Sequence, residues 1–333
     1  MRILVAPLNW GLGHASRCIP LIHRLLNEGH EVILGGDGES LTLLRKHFPK
    51  LRYVYLAPLH LRYSKGQRQV WAMIKAIPQI IKWSIQDHAM LKAVLREEPF
   101  DQVISDNRFG LYSVSKQSER SVLCQAKPVC IYMTHQLHIM LPKGWKWAER
   151  IASRIHARIY TRFDKVWIPD YEDPAHSLAG ELSHPKIVHR KSSNRKWIYI
   201  GPLSRFASTS YTLHSTPSYD IVAVLSGLEP QRSLLENDII ARYSGKEERV
   251  LIVQGLMNRP NTRIKRANIT IVPYMKDDDL AEALLGANHI ITRSGYSTIM
   301  DLEALGLLNH KSQIELLPTP GQPEQEYLAK LFQ

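Results

Sequence analysis

Residues 290–305, I-I-T-R-S-G-Y-S-T-I-M-D-L-E-A-L, with L-L-P-T-P-G-Q-P-E-Q at 316–325, decide the architecture of this chain. Ile290 and Ile291 close an apolar run short enough for a buried strand. Arg293-Ser294-Gly295 supply a turn, and Ser297 or Thr298 can cap a helix whose apolar positions are Ile299, Leu302 and Leu305. A strand, a tight loop and a helix start can hold an anion, because the first N–H groups of the helix lack intrahelical acceptors and carry the positive end of its dipole. Gly295 lets backbone come close to a phosphate. Asp301, expected on the first turn of that helix, offers a carboxylate to ribose hydroxyls. Leu316-Leu317-Pro318 reads as the next buried strand, and its exit carries Gln322, Glu324 and Gln325, polar groups able to reach a sugar. An ordinary strand-to-helix connection has the same local pattern.

The other end of the chain repeats the arrangement. Arg2 to Leu8 is an apolar strand, Asn9-Trp10-Gly11-Leu12-Gly13-His14 a glycine-rich loop, and Ala15 to Asn27 a helix with Ile19, Ile22, Leu25 and Leu26 on one stripe. Gly29 stops the helix and Glu31 to Gly36 forms a second strand, giving a βαβ unit. G-x-G-H lacks the third glycine of the dinucleotide fingerprint, which argues against a nicotinamide site. Phe100 to Asp106 is a strand ending in a carboxylate at the edge where α/β folds place their sites, so Asp106 is expected near His14. Each also has a structural alternative, His14 as a helix cap and Asp106 as a loop cap. Pro128 to Met133 is a further strand, and His135 and His138 follow it at H-x-x-H spacing, without the third ligand that a metal needs. Strands are also read at Val166 to Pro169, Trp197 to Leu203, Tyr219 to Leu225 and Thr270 to Val272. After Leu225, S-G-L-E-P-Q-R at 226–232 starts a helix near Pro230, with Arg232 as a possible source of positive charge. Asp277-Asp278-Asp279 precede an apolar helical run, where carboxylates favour a helix N-terminus rather than a metal.

A chain of 333 residues suits two domains, drawn here at 1–203 and 219–333, with the Ser/Thr-rich stretch 204–218 as linker. Hydrophobic content of 44% and charged content of 22% are those of a globular protein with two cores. Cys18, Cys124 and Cys130 form neither a disulfide framework nor a zinc motif, which fits a reducing cytoplasm. The first apolar run is too short for a signal peptide, and no run of about 18 apolar residues could cross a bilayer. The net charge of +12 is lopsided: residues 1–200 carry 30 Lys and Arg against 16 Asp and Glu, while the remainder is slightly acidic. Two basic helical stretches hold much of that charge. Residues 60–95 interleave Arg62, Lys65, Arg68, Lys75, Lys82 and Lys92 with Trp71, Ile74, Ile77, Ile81 and Trp83, with a kink expected at Pro78. Residues 145–163 place Arg150, Arg154, Arg158 and Arg162 at intervals of four. Both fit a helix lying on an anionic membrane surface, and equally a core-facing or solvated helix.

R-S-G-x-x-T-x-x-D at 293–301, L-P-x-P at 317–320, E-Q at 324–325 and G-x-G-H at 11–14 together resemble the GT-B glycosyltransferases. The likeness is greatest to the family 28 type that includes the lipid II-forming N-acetylglucosaminyltransferase. It is specific in the C-terminal third and weak between about residues 40 and 95. The resemblance implies an α/β fold of two Rossmann-like, doubly wound domains facing across a cleft, the first binding an acceptor and the second a UDP-sugar co-substrate. It places Ser226, Gly227, Arg232, Arg293, Ser294, Gly295, Ser297 and Thr298 around the diphosphate, Tyr274 and Met275 against uracil, Asp301 on the ribose, and Gln322 and Gln325 on the sugar. Gly11, Gly13 and His135 fall on the acceptor side. His14 becomes the general base, oriented by Asp106, with no metal or further cofactor. The implied activity is inverting transfer of a hexose or N-acetylhexosamine from UDP to a lipid-linked or cell-envelope glycan, by a cytoplasmic protein that is peripheral at the membrane. Asp301 departs from the glutamate of the lipid II type. The sequence also stops at Gln333 within a helix beginning near Pro323, where such chains usually return to the first domain, which suggests a trimmed or truncated end. A UDP-sugar 2-epimerase shares this fold. Charge alone suggests nucleic-acid binding, for which the sequence carries no recognition motif.

Overall fold

The computed structural model describes residues 1–59, 69–114, 127–186, 197–207, 218–227, 229–257, 259–309 and 313–332, the side chains of 69–74 excepted. The described residues divide into two compact units, the first built on 1–9, 14–59 and 70–203, the second on 10–13, 69 and 204–332.

In the first unit the chain runs β1 (Arg2–Pro7), α1 (Gly13–Asn27), β2 (Glu31–Gly36), α2 (Gly38–His47), β3 (Tyr53–Tyr55), α3 (Gln69–Glu97), β4 (Gln102–Asp106), β5 (Val129–Met133), α4 (Glu149–Tyr160), β6 (Lys165–Ile168) and β7 (Trp197–Tyr199). The strands form one parallel sheet in the order β3-β2-β1-β4-β5-β6-β7. Ile3, Leu4, Val5 and Ala6 are fully buried, as a strand covered on both faces requires. Right-handed crossovers put helices that lead in opposite directions along the sheet on opposite faces. Accordingly, Leu91 and Leu95 of α3 share a core with Tyr160 of α4, Phe163 and the sheet residues Leu4, Ala6, Val103, Tyr132 and Val166. The strand order reverses between β1 and β4, where register pairs Pro7 with Asp106 and Asp106 with Met133. The loops leaving β1, β4 and β5 therefore start side by side, at a topological switch point.

The second unit contains β8 (Ile221–Val224), α5 (Gln231–Tyr243), β9 (Val250–Val253), β10 (Ile264–Arg266), β11 (Ile269–Val272), α6 (Asp277–Leu285), β12 (His289–Thr292), α7 (Tyr296–Ala304), β13 (Ile314–Leu316) and α8 (Pro323–Phe332). Its sheet runs β10-β11-β9-β8-β12-β13, parallel except for the β10 edge. The order reverses between β8 and β12, so the loops starting at Leu225 and Arg293 leave a second switch point.

Several elements differ from their sequence expectation. Residues 143–148 form a 3₁₀ turn, with Trp145 N bonded to Pro142 O at 2.7 Å, and only Glu149–Tyr160 is α-helical. Of the basic stretch 60–95, residues 60–68 lie outside the described part, and α3 continues through Pro78. The last strand is Ile314–Leu316: Leu317 N still donates to Thr292 O, but Pro318 has no N–H with which to extend the ladder. Ser204 and Phe206, at the start of the expected linker, are buried in the second unit, and residues 208–217 of that linker lie outside the described part.

Candidate active site

β1 delivers the chain into a loop where Gly11 has φ +79°, a conformation that a side chain would strain. Gly13 opens α1 and His14 follows in its first turn. His14 keeps 17% of its side chain exposed and sets Nδ1 3.1 Å from Asp106 Oδ1. Arg17, one turn further along the same helix face, donates from Nε to Asp106 Oδ2 at 2.6 Å and from Nη2 to Asp106 Oδ1. The same guanidinium lies 3.0 Å from His14 Nδ1 and, through Nη1, 3.1 Å from His135 Nδ1. Burial alone would push the Asp106 carboxyl up, but Arg17 and His14 beside it hold it down at about 2. His138, expected beside His135, turns instead to Glu149.

A second buried network braces the loop that leads to His14. Arg108 is fully buried and donates to Asp87 and to Asp37 Oδ1 at 2.8 Å, as well as to the Ala57 carbonyl. Asp37 in turn accepts from Asn9 Nδ2 at 3.1 Å, and the Asn9 side chain lies where a Cβ on Gly38 would stand. On the other flank, Asn107 takes φ +58°, and its side chain accepts from Tyr132 Oη at 2.7 Å. Neither Arg17 nor Arg108 is foreseen in the sequence. The i,i+3 spacing of His14 and Arg17 is the one available signal, since it puts both on one helix face.

In the second unit, Ser226 and Gly227 leave β8 ahead of α5, and Arg293-Ser294-Gly295 leave β12 ahead of α7. Gly295, not Ser297 or Thr298, is the N-cap of α7, so the cap residue has no side chain to offer and the first-turn amides have no intrahelical acceptor. Ser297 and Thr298 lie half-buried in that first turn. Arg293 is 94% removed from water. It donates to Gln231 O at 2.8 Å and Pro318 O at 3.1 Å, while its Nε has no partner among the described residues. Burial lowers its pKa, and no carboxylate among the described residues pairs with it where α5 and α7 begin. Ser294 donates to Gln325 O at 2.7 Å, and Gln325 holds Gln322 at 2.6 Å, so these three expected sugar-side and phosphate-side residues do come together. Tyr274 and Met275 are half-buried on the loop between β11 and α6.

Two expected roles meet a different geometry. Arg232 is buried among acids of its own segment, donating to Glu229 and, at 3.0 Å, to Glu236, so its charge is already matched. Asp301 lies in the second turn of α7, because the helix begins at Tyr296. Ser204 Oγ donates to it at 2.7 Å and Arg205 Nε stands 3.3 Å away, with Arg205 also reaching Asp277. Asp277, Asp278 and Asp279 fill the first turn of α6, as expected for acids at a helix N-terminus, and Lys276 is the N-cap residue.

No family model matches the chain. It is 22% identical to an uncharacterized glycosyltransferase of Methanosarcina acetivorans, covering 98% of this chain and 82% of that one. A second such protein, from Methanosarcina mazei, is 21% identical, with 100% and 83% covered. Among solved structures, the calicheamicin glycosyltransferase CalG4 superposes with a TM-score of 0.56 at 12% identity over 99% of this chain and 83% of its own. The spinosyn rhamnosyltransferase SpnG, complexed with thymidine diphosphate, gives 0.55 at 14% over 99% and 90%. Arabidopsis thaliana UGT89C1, complexed with UDP-L-rhamnose, gives 0.53 at 15% over 99% and 89%. The fold is thus that of the GT-B glycosyltransferases.

Proposed function

We propose that this chain is an inverting, metal-independent glycosyltransferase that moves a hexose or N-acetylhexosamine from a UDP-sugar to a lipid-linked or cell-envelope glycan, in the manner of the family 28 type. The observation that carries this reading is the pairing of a partly exposed His14 with the buried Asp106 at the switch point of the first sheet. His14 Nε2 takes the acceptor hydroxyl proton as that oxygen forms its bond to the anomeric carbon. The bond from that carbon to the diphosphate breaks on the opposite side, and Asp106 stabilises the imidazolium through Nδ1. Charge develops on the departing diphosphate, and the second unit offers it the amides at the start of α7 together with Arg293, which pairs with no carboxylate among the described residues. These are fixed dipoles and a fixed cation, so they require little reorganisation as the bond breaks. Similar glycosyltransferases of known structure are complexed with UDP-L-rhamnose and with thymidine diphosphate, which supports a nucleotide-sugar donor. Thermal shift against a panel of UDP- and other NDP-sugars tests this: a donor at free concentration L stabilises the fold by RT ln(1 + L/Kd), and unchanged melting at millimolar UDP counts against the site.

A further observation favours attachment to an anionic membrane surface. Trp147, 71% exposed, and exposed Ile151 and Ile155 form a ridge at intervals of four, alongside the exposed row Arg150, Arg154 and Arg158. Helix α3, which shares that core, carries a second exposed ridge of Ile77, Ile81 and Ile85, with exposed Lys75 and Lys82. Apolar side chains standing in water and flanked by cations match an interface of acyl chains and anionic headgroups.

A further inference from the structure

Arg17 is almost fully buried and touches all three side chains of the first-unit site. A guanidinium has only N–H groups to offer, so every hydrogen bond it makes is a donation. That fact constrains the two histidines. His135 Nδ1, 3.1 Å from Arg17 Nη1, must present a lone pair, which puts the His135 proton on Nε2. At His14 the geometry is contested, because Nδ1 stands 3.0 Å from the donor Nη2 and 3.1 Å from the acceptor Asp106 Oδ1. Arg17 decides this contest through the carboxylate. By donating to Asp106 Oδ2 from Nε and to Oδ1 from Nη2, its fork fixes the carboxylate plane with Oδ1 beside His14 Nδ1, and Nη2 gives its hydrogen to the carboxylate instead of to the ring. Nδ1 then carries a proton for Asp106, and Nε2 is left with the lone pair that a base needs.

We propose that Arg17 is a positioning residue that assigns opposite tautomers to the two histidines, Nδ1–H on His14 and Nε2–H on His135, by acting as a donor-only fork between them and Asp106. This rests on the reading of His14 as the base. A lysine at the same place would keep the charge but lose the fork, since an ammonium is a point donor that does not fix a carboxylate plane.

The test is long-range proton–nitrogen correlation NMR on the whole chain at slightly alkaline pH. The chain has 15 histidines, so His14 and His135 are assigned by the signals lost in His14→Gln and His135→Gln. The parent is expected to show a protonated Nδ1 on His14 and a protonated Nε2 on His135. In Arg17→Lys both rings are expected to become tautomer mixtures, with turnover falling at least about tenfold while UDP affinity stays within about twofold, because a misoriented base affects chemistry and makes no donor contact. Arg17→Met gives the same readout if it folds; if it does not, the parent and Arg17→Lys decide. A parental His135 with its proton on Nδ1 overturns the proposal, and so does an Arg17→Lys protein with parental tautomers and turnover. A parent with the expected tautomers but no transfer from any donor refutes the glycosyltransferase reading and leaves the tautomer assignment standing.

Discussion

Replacing Asp106 with asparagine tests the site through its stability. Asp106 is fully buried and both its oxygens accept from Arg17, which is itself nearly fully buried. An asparagine keeps the shape but offers one oxygen, and its amide N–H groups then face the N–H groups of the guanidinium. Breaking one side of a buried ion pair costs about 3 to 5 kcal/mol, because the remaining charge stays desolvated. For a unit of this size each kcal/mol moves Tm by about 2 to 4 °C, so Asp106→Asn is expected to melt about 6 to 20 °C below the parent. Calorimetry on the two proteins reads this directly. Adding Arg17→Met to Asp106→Asn should recover part of the loss, since no unpaired cation is left behind, giving a double variant more stable than additivity predicts. An Asp106→Asn protein melting within about 2 °C of the parent, or strict additivity in the double variant, would refute the argument that this carboxylate is a structural counterion as well as the partner of His14. Any loss of turnover in Asp106 variants must therefore be measured well below their melting temperature.

Other expectations follow from the same contacts. Arg293→Met should weaken UDP binding by calorimetry by at least about tenfold, since it removes a buried cation that no carboxylate among the described residues neutralises; unchanged affinity would place the diphosphate elsewhere. Asp301→Ala should weaken donor binding by about 1 to 3 kcal/mol and also lower Tm, because Ser204 loses its acceptor and Arg205 its ion-pair partner; equal affinity would take the ribose off Asp301. Asp106 titrates at about 2 in the folded chain against an ordinary 3.8, so it contributes about 2 kcal/mol that is present above pH 4 and lost as pH falls toward 2. Urea midpoints of the parent should accordingly converge on those of Asp106→Asn across that range. Changing Arg150, Arg154 and Arg158 together to alanine should release the protein from anionic vesicles, at roughly 1 kcal/mol for each side chain near such a surface; flotation that ignores lipid charge and salt would contradict the membrane reading.

What the sequence discloses is mostly local. Arg2 to Pro7, Ile221 to Val224 and His289 to Thr292 announce themselves as short apolar runs, and the glycine loops after the first and third of these announce the turns into α1 and α7. Strands such as Tyr53–Tyr55, three residues long and largely exposed, carry no such signature. Arg17 and Asp106 meet across 89 positions and Ser204 and Asp301 across 97, so nothing in either neighbourhood announces the pair. Arg232 is the contrary case. Its partners Glu229 and Glu236 stand three and four residues away, and that spacing alone identifies a cation already matched by carboxylates.

The central claim is tested most directly by removing the base while watching the donor. Labelled sugar is followed from a panel of UDP- and other NDP-sugars into a cell-envelope lipid and glycan extract, with the parent and with His14→Ala, and UDP affinity is measured on both. The account predicts that the parent transfers label from a UDP-sugar, and that His14→Ala binds UDP as the parent does while its turnover falls by about 10² to 10⁴. No transfer by the parent from any donor, or parental turnover in His14→Ala, would contradict it.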